Sequence, residues 1–80
     1  MSKMLIVIHN AIKIFFYREN EGPRAHVHIK HKDGTETKVW LDDFSLKESS
    51  RDSVFDKLAV KLAERYKEES LQAWEDVYGE

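Results

Sequence analysis

Residues 4–8 and 11–17 are short runs rich in β-branched and aromatic side chains, which favours strands over helices. His9-Asn10 between them predicts a tight turn, because Asn tolerates positive φ. Residues 18–24 are polar and contain Gly22-Pro23, the composition of a loop. Two more runs, 25–31 and 35–41, flank Lys32-Asp33-Gly34 and predict a second hairpin. Side-chain pattern decides its register. A two-residue Asp-Gly turn would mix polar and apolar side chains on both faces. A three-residue Lys-Asp-Gly loop with Gly34 left-handed pairs His31 with Thr35 and separates them. Ala25, Val27 and Ile29 then oppose Leu41, Val39 and Thr37, while Lys30, His28 and His26 oppose Glu36, Lys38 and Trp40. A slip of one residue would exchange the faces, so the three-residue loop is expected.

Residues 45–52 form a polar linker, with room for a short edge strand around residues 44–46. From Ser53 the apolar period changes to 3.6: Val54, Phe55, Leu58, Leu62 and Tyr66 make one stripe, flanked by Ala59 and Ala63. Ser53-x-x-Asp56 reads as a capping box at its start. Leu71, Trp74, Val77 and Tyr78 make a second stripe that ends at Gly79, and a break is expected within the wholly polar residues 67–70. Two helices with apolar stripes must cover one face of the sheet. The predicted fold is α+β: a single domain over 1–80, with a four-stranded antiparallel sheet of two hairpins in 1–46. Two C-terminal helices in 53–79 pack on one face. That face carries Leu5, Val7, Ile12, Ile14, Phe16, Val27, Ile29, Val39 and Leu41.

Composition narrows the classes. Cysteine is absent, so neither disulfides nor thiolate metal sites are available, and an 80-residue chain must be held by packing. No apolar run approaches the ~20 residues of a membrane span. The opening MSKMLIVIHN has too short an apolar stretch for a signal peptide, so the expected location is cytoplasmic. The net charge of −2 is unevenly spread: residues 1–41 carry seven basic and four acidic side chains, residues 42–80 six and eleven. All four histidines fall in the basic half, which suggests different partners for the two halves.

The face left uncovered carries Ile6, Ile8, Lys13, Phe15, Tyr17, His26, His28, Lys30, Lys38 and Trp40. Aromatic and basic side chains gathered this way mark a binding surface. Its expected core is Lys13, Phe15, Tyr17, His26, His28, Lys30, Lys38 and Trp40. Three chemistries compete there. The first is a protein interface, by self-association or with a small partner, through Ile6, Ile8, Phe15 and Trp40. The second is nucleic acid, with aromatics stacking bases and Lys13, Lys30 and Lys38 neutralising phosphates. A metal-independent ribonuclease using His26 and His28 as acid and base is the catalytic form of that reading. The third is a metal site. Alternation puts His26 and His28 on one side, with Asp42 or Glu36 as diagonal neighbours. Zinc wants three or four protein ligands, and Lys38 opposite His28 opposes a cation, so no metal and no other cofactor is expected. His9 and His31 sit at turns and are expected to be solvated, and Trp74 and Tyr66 to belong to the core.

Ile12-Lys-Ile-Phe-Phe-Tyr17, Pro23 with His26-Val27-His28, and Glu69-Ser-Leu-Gln-Ala-Trp74 resemble the bacterial family catalogued as domain of unknown function 4160. Members of that family usually read Pro-Pro-His-x-His, whereas Arg24 and Ala25 intervene here. The resemblance implies no established activity. It implies toxin–antitoxin-like gene arrangements, and hence a small partner protein or a nucleic acid rather than a metabolite.

Overall fold

The computed structural model describes residues 2–79. Its five strands are β1 (Lys3–His9), β2 (Ile12–Tyr17), β3 (His26–His31), β4 (Glu36–Trp40) and β5 (Leu46–Glu48), followed by α1 (Ser53–Arg65) and α2 (Lys67–Tyr78). The strands form one antiparallel meander in chain order, so the sheet has five strands rather than the four expected. The added strand begins at Leu46 because Phe44 takes a left-handed φ of 59° and turns the chain back, with Trp40 N–H donating to the Ser45 carbonyl. All three residues of β5 are exposed, which leaves no apolar alternation to reveal it.

The second hairpin has the predicted register: His26 pairs with Trp40, Val27 with Val39, His28 with Lys38, Ile29 with Thr37 and Lys30 with Glu36. Gly34 has φ 100°, and its N–H closes the loop on the His31 carbonyl. The first hairpin turns at Asn10-Ala11, one residue later than expected, with Asn10 at φ 56°. Its first strand also carries a bulge between Leu5 and Val7. A bulge shifts the side-chain parity of the strand that holds it. Leu5 therefore opposes Phe15 on the open face and is 48% exposed, instead of lying under the helices. Ile6 goes the other way and packs against the core.

That core holds Ile12, Ile14, Val27, Ile29, Val39 and Leu41 of the sheet against Phe55, Ala59, Leu62 and Ala63 of α1. Phe16 packs with Ala73 and Trp74 of α2 in an adjoining cluster. Both helices thus cover the face predicted for them, each large buried side chain contributing about 1.5–3 kcal/mol. The stripes are narrower than the sequence suggests, since Val54, Leu58 and Leu71 are exposed. The N-cap of α1 is Asp52, which accepts from Val54 and Phe55 N–H, in place of Ser53. Asp56 instead ties the helix start to the sheet, accepting from Thr37 Oγ1 at 2.6 Å and from Ser50 and Ser49. The helices part at Tyr66, and residues 67–70 are helical, so the break falls just before the polar stretch. Among the described residues no helix is long and apolar enough to cross a membrane.

Candidate functional site

The open face divides into two regions. The first is built on β3, where alternation puts His26 and His28 on the same side, as predicted. They are not surface groups, however: His26 is 1% exposed and His28 3%. Their cover is the loop between β2 and β3. Asn20 (φ 63°) and Gly22 (φ 79°) both take left-handed backbone and fold the intervening Glu21 back over the sheet. Tyr17 N–H holds Glu21 Oε2 at 2.8 Å. The Glu21 carboxylate then meets His26 Nε2 at 3.3 Å and His28 Nε2 at 2.7 Å.

The remaining ring nitrogens are also engaged. His26 Nδ1 lies 3.1 Å from the Arg24 carbonyl oxygen, and His28 Nδ1 lies 2.9 Å from Glu36 Oε2. Aromatic walls complete the enclosure. Phe15 stacks on His28 at 5.0 Å, Tyr17 meets it edge-on at 5.3 Å, and Trp40 and Trp74 each approach His26 to 5.4 Å. Burial pushes the His26 imidazole below the ordinary histidine value, against the opposing pull of the Arg24 carbonyl and Glu21. Burial would raise Glu21, but the Tyr17 N–H and the two imidazoles more than offset it and hold the carboxyl below its usual range.

Glu21, His26 and His28 each offer one ligand atom, and these lie within 4.8 Å of one another. The sequence pattern points to Asp42 or Glu36 as the third group and gives no place to Glu21. Asp42 is instead paired with Arg24 through two 2.9 Å hydrogen bonds, and Glu36 stands behind His28. Lys38, expected to oppose a cation here, is drawn to Glu48 at 3.6 Å. The available signal was Asn20-Glu21-Gly22: an acid between two residues suited to positive φ, in the loop leading to His-x-His.

Several residues of the expected binding surface are therefore unavailable to a ligand. Phe15 is 1% exposed, between His28 and the Lys3 ammonium 4.6 Å from its ring centroid. The Arg24 guanidinium covers Trp40 at 4.1 Å, and Tyr17 is half-buried. His9 is not free either, since its Nδ1 lies 3.3 Å from the Tyr66 hydroxyl.

The second region lies beyond Phe15. Lys3, Ala11, Lys13, Phe15, Lys30, His31 and Lys32 line a cavity of about 280 Å³ on the side of the β1–β2 and β3–β4 turns. The sheet puts Lys13 opposite Lys30, and Lys32 N–H bonds the Ala11 carbonyl, which draws the two turns together. No carboxylate lines the cavity, and among the described residues none of its four lysines is in an ion pair. Lys13 and Lys30 were predicted for this surface; Lys3 and Lys32 were not.

A family model described as Domain of unknown function (DUF4160) matches residues 11–75, and the chain belongs to that family. No curated protein and no solved structure matches it.

Proposed function

We propose that this DUF4160 chain is a binding module for single-stranded RNA, which it takes through the lysine cavity of its open face. The carrying observation is the gathering of Lys3, Lys13, Lys30 and Lys32 around one concavity lined by no acidic side chain, on a chain whose net charge is −2. Like charges placed together repel unless a polyanion neutralises them, and successive phosphates supply that neutralisation. Phe15, enclosed between His28 and the Lys3 ammonium, walls the cavity without stacking a base, so the affinity is expected to rest on the lysines. A role as the nucleic-acid-binding member of a bacterial, cytoplasmic toxin–antitoxin-like pair goes with this reading. Cleavage by His26 and His28 does not, because both are enclosed beneath Glu21.

The competing reading is association with a small partner protein or a second copy. Its support is Leu5 and Ile8, 48% and 60% exposed on the same face. With Phe15 and Ile6 withdrawn and Trp40 covered, two aliphatic side chains fall well short of the apolar centre of a stable interface, which needs roughly 1,000 Å².

Fluorescence anisotropy with labelled single-stranded RNA at several salt concentrations tests the proposal. With all four lysines engaged, log affinity should fall against log salt with a slope of about −3. Lys13→Ala with Lys30→Ala should roughly halve that slope and weaken binding at least about tenfold at low salt. Absent or salt-independent binding overturns the reading. A dimer by light scattering that Leu5→Ser with Ile8→Ser dissociates would put self-association in its place.

A further inference from the structure

The geometry points to a divalent transition-metal site formed by His26 Nε2, His28 Nε2 and the Glu21 carboxylate. Hydrogen-bond bookkeeping carries the inference. The partner of His26 Nδ1 is a carbonyl oxygen and that of His28 Nδ1 is a carboxylate oxygen. Neither can donate, so both Nδ1 atoms carry the hydrogen. In a neutral imidazole so fixed, Nε2 is a lone pair. Both lone pairs are aimed at Glu21, itself only an acceptor, at 3.3 and 2.7 Å. The one donor given to that carboxylate is Tyr17 N–H. With both rings neutral, acceptors converge with no hydrogen between them, at buried imidazoles flanked by four aromatic rings. Either a proton on each Nε2 or one shared metal ion must fill that gap, and the metal ion satisfies both imidazoles and the carboxylate at once.

The surroundings suit a metal ion. A histidine ligand typically donates its other ring nitrogen to a carboxylate or a backbone carbonyl, which sets the tautomer and aims the lone pair. His28 has the first arrangement and His26 the second. A spread of at most 4.8 Å closes onto ligand bonds of ~2.1 Å with an inward shift under about 1 Å for each group. Two imidazoles and one carboxylate match zinc or ferrous iron better than calcium or magnesium, which prefer all-oxygen shells. Glu21 and Glu36 together balance the charge of a divalent ion. Enclosure makes the ion's role structural, pinning the loop that carries Glu21 to β3. The expectation of no metal rested on a missing third ligand, and Glu21 supplies it. This inference is independent of the RNA reading.

The test uses the whole protein, stripped with chelator and titrated calorimetrically with zinc chloride near neutral pH. One zinc per chain with submicromolar affinity is expected, together with visible absorption when cobalt(II) replaces zinc. The melting temperature should rise by about 10 °C or more at a hundredfold excess over the dissociation constant. Glu21→Gln separates metal binding from folding, because its amide can donate to an imidazole Nε2. It should melt within a few degrees of the stripped wild type and bind zinc at least tenfold more weakly. Glu36→Gln, which removes the partner behind His28, should cost about 10- to 100-fold in affinity, whereas Glu48→Gln should cost nothing. Flat titrations of the folded wild type with zinc, cobalt and manganese overturn the proposal, as does binding that Glu21→Gln leaves intact. Nitrogen-15 spectra showing a proton on both Nε2 atoms in excess zinc would overturn it too, since protons would then fill the gap.

Discussion

His28 and Lys30 point the same way from one strand, two residues apart, yet they sit in opposite electrostatic settings. His28 is buried, with each ring nitrogen meeting a carboxylate and Phe15 stacked on its face. Lys30 lines an open cavity whose four lysines form no ion pair among the described residues. Phe15 divides them, with His28 on one side of its ring and the Lys3 ammonium over it. Strand alternation decides which face a side chain takes. Whether that face is wet or dry is decided by what folds over it, and here one loop with one carboxylate covers half the face. The covered half has its counter-charges built in, while no carboxylate lines the open half.

Removing the wall should undo the contrast. Phe15→Ala opens a cavity against His28 and is expected to cost about 3–5 kcal/mol in urea unfolding. A loss under about 1 kcal/mol would mean the two regions do not depend on a common partition. Shifting the roof is gentler. Gly22→Ala meets no atom within 4 Å, so its penalty comes from the left-handed backbone alone, about 1–2 kcal/mol. It should move the ring resonances of His26 and His28 while leaving RNA affinity within about twofold. The equivalent change in the other loop, Gly34→Ala, should do the reverse; identical effects from both would erase the distinction.

Acid gives a third comparison, using Asp56 on the helix side as the reference. Burial would raise its carboxyl, but hydrogen bonds from Ser49, Thr37 and Ser50 hold it well below the ordinary value of 3.8. A depressed folded value stabilises the protein above pH 3.8, and the benefit is lost as pH falls below that point. Unfolding midpoints of Asp56→Asn should therefore respond less to acid than wild type below about pH 4. Lys13→Ala with Lys30→Ala, which leaves Asp56 and its partners untouched, should track the wild-type profile in this acid range and change neutral-pH stability by less than about 0.5 kcal/mol.

Repeating patterns made the second hairpin and the helix-covered face legible. The Lys-Asp-Gly loop leaves one register that separates Val27 and Ile29 from His26 and His28, and the structure has it. Features without period were hidden. The bulge in β1 gives no signal in an unbroken apolar run, so Leu5 and Ile6 exchanged faces. The short edge strand expected around residues 44–46 lies later, at Leu46–Glu48, and the true cap, Asp52, was missed, because each is set by a single backbone angle or side-chain contact. At the site, alternation identifies His26 and His28 but leaves them exposed. Their cover comes from a loop whose course depends on the φ angles of Asn20 and Gly22. Lys3 and Lys32 joined the cavity because their strand end and turn converge in space.

The chain has two tryptophans, and both indoles lie 5.4 Å from the ring of His26, Trp40 edge-on and Trp74 tilted. All of its indole emission thus arises beside a single imidazole. A change in the charge at that ring perturbs both emitters together, with no competing signal from elsewhere in the chain. The unlabelled protein carries its own optical gauge of the centre, readable in a cuvette while the opposite end of the same face is being titrated.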